Sequence, residues 1–497
     1  MVAPNQQSRN VNRAEPNYSA SQVRMAEGMV KLYKGKLMYV PGVGWHVWTG
    51  IYWRYDKLGE VTQCVIKTLK NAMARADKLT AESMLAECDG RQDLAEDFKE
   101  RAEVLRKEAR SCQNASGVRG IKELAGTYPQ FAVDAKQLNA NPFLINLQNC
   151  TLNLLSEEAR QSDPADRITA VCNASFDQQR MDSFDPEVDC PRWHKYLAEV
   201  LPDRDVRDCF QELVGSAMAG EQFSHDVPIW RGGGRNGKGV AESTIRHVFG
   251  PDYAHIAPTD LLISRPGAHT TSQTSLLGKR FVVVDEQDGN GKISEAMLKK
   301  ASGGGDITAR KIKHDDITFH QTWLLNIIAN ELPNITGQGA AIWERLLIIE
   351  FPVVFTREQQ DTSLRFDLVK EADGIFMWLF AGWRRFQERG RKFDIPPQVR
   401  EATQKYRRRC DFVERWIDTW CERGTGKEYY VKPAVLQDNY NNFANGIPGA
   451  KLMRKKEFND LMRDKGFRYI RQLAVFEGLK IRDKAADPDA SADEGGG

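Results

Sequence analysis

Residues 228–240 read PIWRGGGRNGKGV, and their types and spacing suit phosphate chemistry. Gly232, four residues, then Gly237-Lys238 is the pattern in which a strand ends, backbone N–H groups turn around a phosphate, and a helix begins. Gly232, Gly233, Gly234, Arg235, Asn236, Gly237, Gly239 and Val240 would form that cradle. Lys238 would bring a cation to the β- and γ-phosphate oxygens. The position after the lysine, ordinarily a Ser or Thr that ligates Mg²⁺, is Gly239. Ser243 and Thr244 lie about a turn further on, too far to substitute. The plain alternative is a glycine-rich loop that holds no ligand.

A second motif lies 47 residues after Lys238, room for one helix and one strand. Residues 281–286 read FVVVDE, a buried strand whose C-terminal end carries Asp285 and Glu286. Ligands of open parallel sheets bind at that end. Asp285 would hold Mg²⁺, and Glu286 would polarise an attacking water as general base. A strand that simply ends at solvent is the alternative.

The elements that must position these groups are legible as apolar runs. VPIWRG, RFVVVDE, WLLNIIAN and RLLIIEFPVVF alternate with helical segments, which predicts an α/β core with a largely parallel, buried sheet. Upstream, residues 61–115 read as two long amphipathic helices broken near Cys88-Asp89-Gly90. The segment YVPGVGWHVWTGIYWRYD predicts short strands in which Trp45, Trp48 and Trp53 form a core rather than a base-stacking platform. Residues 129–160 read as strands and turns, and 191–224 and 365–409 as helices with a break at Pro396-Pro397. The division expected is a disordered arm at 1–21, an N-terminal α+β region at 22–190, an ATPase domain at 191–355, a helical linker at 356–409, a compact unit at 410–483 and a disordered tail at 484–497.

Composition narrows the classes. The 497 residues carry 70 Lys+Arg against 68 Asp+Glu, a net charge of +2, which excludes a generally polycationic coat but not a local basic patch. With 41% hydrophobic and 28% charged residues the chain reads as globular. The run MVAPNQQSRNVNRAEP has no apolar stretch, so no leader peptide is expected, and the sequence has no run of about 18 apolar residues, so no membrane span is expected. Nine scattered cysteines include no CxxC pair, which predicts free thiols in a reducing cytoplasm and no zinc site.

Five segments in order, Gly232–Gly239, Phe281–Glu286, KKASGGGDITARKIKHDDITF, WLLNIIANELP and AIWERLLIIEFPVVF, resemble a superfamily 3 helicase. The resemblance is to the helicase half of the phage, plasmid and poxvirus primase-helicases. NPFLINLQNCTLNL resembles that family's upstream domain. The resemblance implies an AAA+-like P-loop ATPase core, ATP and Mg²⁺ as cofactors, and a homo-oligomeric ring, a hexamer, around single-stranded or forked DNA. It implies that Asn330 is a sensor that orients the attacking water. It implies that Arg345 is an arginine finger for the neighbouring subunit, although Trp-Glu-Arg stands where the family often has Trp-Arg-Arg. A salt bridge to Glu344 or Glu350 is the alternative for Arg345. The glycines 303–305 mark a turn into a hairpin. The resemblance implies that its tip projects into the pore, where Lys313 and His314, and less so Lys311, would contact the DNA backbone while Arg310 would serve the nucleotide site, with a solvated surface hairpin as the alternative.

Residues 410–483 predict three helices and a hairpin around Glu477-Gly478, and the resemblance implies a winged helix there. From 451 to 482 there are ten Lys/Arg against four Asp/Glu, a net of +6. Lys455, Lys456, Arg463, Lys465, Arg468 and Arg471 are therefore candidates for phosphate contacts, with a protein-docking face as the alternative. The N-terminal region lacks a hydrophobic-flanked D-x-D pair, so a primase is expected on another polypeptide. The function expected is an ATP-dependent DNA helicase or translocase in phage, plasmid or mobile-element replication, in the cytoplasm of a bacterial host. The alternative is a nucleotide-switched initiator or loader that does not unwind DNA.

Overall fold

The computed structural model describes residues 18–263, 270–286, 292–310, 316–336, 340–445, 447 and 450–482. Most of the arm expected at 1–21, and the tail expected at 484–497, lie outside the described residues. The described residues form two compact units. One takes in those up to Gln178 together with the hairpin Asp306–His320; the other holds Gln179–Gly305 and the residues from Gln321 onward.

In the first unit, the helix Ala20–Tyr33 starts at a capping box. Gln22 N–H donates to Ser19 Oγ at 3.3 Å, and Ser19 N–H donates to Gln22 Oε1 at 2.9 Å. The strands Leu37–Val40, Gly44–Trp48 and Trp53–Tyr55 form an antiparallel sheet. Trp45 and Trp53 are buried, Trp45 edge-on to Phe131 at 5.6 Å and Trp53 donating from Nε1 to the Pro164 carbonyl at 2.8 Å. These two tryptophans are core, as expected of aromatics in a small sheet, whereas Trp48, also expected in the core, is only half-buried.

The helices Glu60–Cys88 and Gln92–Ser111 pack on each other through alanines, Ala76 and Ala86 on one and Ala95 and Ala102 on the other. Gly90, at φ +73°, makes the break between them. In the hairpin, Asp306–Arg310 pairs antiparallel with Asp316–His320. Ile307, Ala309, Ile317 and Phe319 are buried, and Thr308 and Thr318 join hydroxyls at 3.0 Å. The tip residues Lys311, Lys313 and His314 lie outside the described residues, as does the side chain of Arg310.

The second unit is built on five parallel strands, β1 (Val227–Arg231), β2 (Ala254–Ala257), β3 (Phe281–Glu286), β4 (Leu324–Ala329) and β5 (Leu346–Glu350). Their order is β5-β1-β4-β3-β2. The expected α/β class holds, and four strands fall on the four apolar runs. The edge strand β2 is not legible in the sequence, because AHIA carries a half-buried His255 and an exposed Ile256 between its buried ends instead of running apolar. The last run stops short of FPVVF, since Pro352 has no N–H to continue the ladder.

Six helices flank or support this sheet: α1 (Pro191–Val200), α2 (Arg204–Ser216), α3 (Lys238–Tyr253, interrupted at Gly250), α4 (Leu364–Lys370), α5 (Ala372–Glu388) and α6 (Pro397–Cys410). Trp230 of β1 is buried under Phe210 of α2, ring centroids 5.0 Å apart, and stacks on Phe351 at 6.1 Å.

The C-terminal part packs the helices Phe412–Trp420, Pro433–Asn445 and Lys455–Asp464 around Trp416, Tyr440 and Phe458. Its hairpin joins Arg468–Ile470 to Val475–Glu477, so the turn lies at 471–474 and not at Glu477-Gly478. Gly478, at φ +99°, instead passes the chain to Leu479–Ile481, which pairs with Cys421–Arg423.

Helices α2 and α5 touch backbone to backbone. A Cβ at Gly382 would lie 2.3 Å from the Gln211 carbonyl oxygen, and one at Gly215 would lie 2.6 Å from that of Leu379. Gly382→Ala should therefore destabilise the protein by about 1–3 kcal/mol through overpacking, against alanine's better helix propensity. A denaturant midpoint at or above the wild-type value would contradict this packing.

Candidate nucleotide site

The loop between β1 and α3 is shaped by its glycines. Gly234, Arg235 and Gly237 have φ of +91°, +50° and +89°, the left-handed conformations that fold successive N–H groups into an anion-binding concavity. A Cβ at Gly232 would fall 1.6 Å from Asn236 Nδ2, and one at Gly237 would fall 2.5 Å from Val200 Cγ1. Tyr196 of α1 donates its hydroxyl to the Gly237 carbonyl at 2.7 Å. Gly239 is different, since a Cβ there would meet nothing closer than Arg365 Nη2 at 3.6 Å.

Lys238 opens α3 and is 4% exposed. Its ammonium donates to Gly232 O at 2.5 Å, Asn236 Oδ1 at 3.1 Å and Asn330 Oδ1 at 3.3 Å, one acceptor for each proton. Burial pushes its pKa down to about 8, opposed by the negative charge of Asp285.

The sheet order brings the other groups in. Strand β4 pairs with β1 on one side and β3 on the other. Asn330, just past β4, therefore sits between the glycine loop and the acidic end of β3. Asp285 lies opposite Ile328 in the register, and Glu286 ends β3 opposite Ala329. Glu286 is placed by its backbone in that register.

Lys238, Asp285 and Asn330 line one cavity of about 680 Å³, which falls in the size range of small-molecule sites. Its other wall holds Arg192, Lys195 and Tyr196 from α1, then Phe355 and Gln359, and Arg365 from α4. Sequence reasoning missed this wall. PRWHKYLAEVL carries only a helical period, and Arg365 comes after the last recognisable motif.

Arg345 is not brought to this cavity. It precedes β5, at the sheet edge opposite Lys238 and Asp285, about 16 Å away along a five-residue strand. Its Nη1 donates to Ser302 Oγ at 3.1 Å and Ser302 O at 3.3 Å. Glu350 pairs instead with Arg231 at 2.6 Å. Ser302 is fully buried, and its carbonyl also meets Gln222 Nε2 at 3.0 Å and His225 Nδ1 at 2.9 Å. Just beyond it, Gln321 Oε1 accepts from Gly304 N–H at 2.7 Å.

In the C-terminal part, Lys455, Lys456, Arg468 and Arg471 are exposed. Lys465 is held by Asp411 at 2.7 Å and Glu414 at 2.8 Å, and Arg463 pairs with Asp460 at 3.1 Å. Among the described residues no helix is long and apolar enough to cross a membrane. Among those residues, too, no three His, Cys, Asp or Glu side chains gather as a metal site.

Residues 26–202 match the family model described as D5 N terminal like. Similar curated proteins are "Putative helicase L207/L206" of Acanthamoeba polyphaga mimivirus, 22% identical over 64% of this chain and 35% of that protein, and "Putative helicase 121R" of Invertebrate iridescent virus 3, 23% identical over 66% of this chain and 38% of that protein. "Putative primase C962R" of African swine fever virus is 22% identical over 56% of this chain and 31% of that protein. The chain spans about a third of the length of these relatives. The solved C-terminal region of NrS-1 aligns over 46% of this chain and 56% of its own length at 14% identity, with a TM-score of 0.35, a likeness too slight to define the fold. By its D5 N terminal like region and these viral relatives, the chain resembles primase-helicases of the superfamily 3 type.

Proposed function

We propose that the chain is an ATP hydrolase that couples turnover to DNA unwinding or translocation, as a homo-oligomeric, hexameric ring, in the replication of a phage, plasmid or other mobile element. The observation that carries this reading is the convergence of Lys238, Asp285 and Asn330 on one cavity at the C-terminal edge of a parallel sheet. The glycine loop and the buried ammonium fit a triphosphate. Asp285 with solvent water fits Mg²⁺, which typically takes one or two carboxylates, phosphate oxygens and several waters. When bound, Mg²⁺ would neutralise charge developing on the phosphates.

The protein's own groups act around that charge. Lys238 exchanges its three internal acceptors for phosphate oxygens. Asn330, released from Lys238, orients the attacking water, and Glu286 accepts its proton. Arg345 acts on the neighbouring subunit, a role supported by its distance from the cavity of its own chain. Its guanidinium is always charged and can bridge two phosphate oxygens.

The bond from Arg345 to Ser302 lies four residues before the hairpin Asp306–His320. Lys311, Lys313 and His314 would contact the strand, and the winged-helix-like C-terminal part would contact phosphates through Lys455, Lys456, Arg468 and Arg471. A separate primase would act beside it. The absence of a hydroxyl at Gly239 favours the second reading, a nucleotide-switched initiator or loader without unwinding.

Hydrolysis with and without single-stranded DNA separates the two readings. Lys238→Ala and Glu286→Gln should each lower turnover by about 10²-fold or more, and Lys313→Ala should keep basal turnover while losing stimulation by DNA. Tight ATP binding by wild type with no turnover would select the switch.

Nucleotide affinity should also depend on pH. A phosphate binds the protonated ammonium, so affinity is full below the Lys238 pKa of about 8 and falls above it. Between pH 7 and 9 the loss should be about tenfold, and Lys238→Arg should flatten it. An affinity constant up to pH 10 in the wild type would refute a depressed lysine at the phosphate.

A further inference from the structure

Position 239 departs from the usual phosphate loop, and the structure has a cation beside the gap. Arg365 Nη2 is the nearest atom, 3.6 Å away, to where a side chain at Gly239 would begin. Arg235 of the glycine loop also lines the cavity and, among the described residues, makes no side-chain hydrogen bond or ion pair, whereas the remaining cations have partners. Lys238 spends its three protons on Gly232, Asn236 and Asn330, and Arg192 pairs with Asp361 at 2.5 Å. Lys195 lies 4.0 Å from Glu199. Among the described residues, Arg365 makes no hydrogen bond or ion pair, and it is exposed along the cavity wall. Its helix is anchored, because Leu368 of α4 is fully buried and α4 packs on α3, the helix that Lys238 begins.

We propose that Arg365 is a phosphate-binding residue of this site, which takes up the space and the charge-neutralising task left by the missing hydroxyl at position 239. The inference rests on the nucleotide reading of the cavity. A Ser or Thr at 239 would neutralise the triphosphate indirectly, by holding Mg²⁺. A guanidinium in that direction does so directly, with paired donors that match phosphate geometry. Nucleotide binding in this protein then depends less on Mg²⁺ and more on Arg365 than in a loop with the hydroxyl. Gly239 is accommodated without strain, and the space beside it is kept for the arginine fork.

The test is equilibrium binding of a fluorescent ATP analogue to the full chain, in Mg²⁺ and in EDTA. Wild type should lose no more than about tenfold in affinity when Mg²⁺ is removed. Arg365→Ala should bind about tenfold more weakly in EDTA, the value of one lost charge-assisted contact, with Arg365→Lys intermediate. Adding Gly239→Ser to Arg365→Ala should restore binding in Mg²⁺ but not in EDTA. Arg365 is exposed, and an unchanged melting temperature would exclude misfolding. Wild-type affinity of Arg365→Ala in both buffers, with binding abolished in Lys238→Ala, would overturn the inference and leave the nucleotide site standing. No binding by wild type in either buffer would overturn both.

Discussion

A buried ammonium must be surrounded by acceptors, and the site depends on how Lys238 meets that demand. An ionised amine without partners in a low-dielectric interior is too costly to persist and would instead lose its proton. Three oxygens prevent this, and each comes from a different structural decision. The Gly232 carbonyl is available because a glycine permits Asn236 to fold across it. The Asn236 amide arrives through the left-handed turn at Arg235. The Asn330 amide arrives because β4 lies between β1 and β3. The cluster therefore records loop conformation and sheet order together. On the nucleotide reading proposed above, it is also the set of contacts that a phosphate would take over.

The same sheet order separates two sets of groups. Parallel strands put all their C-terminal ends on one edge, where Lys238, Asp285 and Asn330 gather. Arg345 precedes β5 and so belongs to the other edge, where it is tied to Ser302. A serine that is buried, with its carbonyl met by Gln222, His225 and Arg345, is a stiff point in the chain. It stands immediately before Gly303, Gly304 and Gly305, whose small size lets the chain turn toward the hairpin. Arg345, Gln222, His225 and the buried Ser302 are thus one connected polar network.

Substitution of the phosphate-loop hydroxyl by Gly239 is unusual against the resemblance, yet the surrounding structure is consistent with it. No close contact forces a glycine there, unlike at Gly232 and Gly237. What Gly239 changes is therefore the space in front of the residue, not its backbone. Helix α4 fills the rim of that space and presents a cation.

What could be read from residue order alone was whatever is written in short windows. Continuous apolar runs marked β1, β3, β4 and β5, because a strand buried on both faces has no polar side to interrupt it. The glycine loop and Lys238 were legible because a strand-to-helix turn around an anion constrains neighbouring residues. Asp285 was legible as the acidic end of an apolar strand, and Asn330 only through the resemblance. The edge strand β2 carried no such mark, and Gly478 looked like a turn although it joins two sheets. The far wall of the cavity could not be read at all. Tyr196 and Arg365 are ordinary residues on amphipathic helices, and nothing near them in the chain distinguishes them. Only the packing of α1 against the glycine loop and α4, and of α4 against the helix that follows that loop, places them there, and packing between distant segments leaves no local signature. The residue types and the chemistry of one wall were set locally; the opposing wall, and the assignment of Arg345 to the other edge of the sheet, were decided by the tertiary fold.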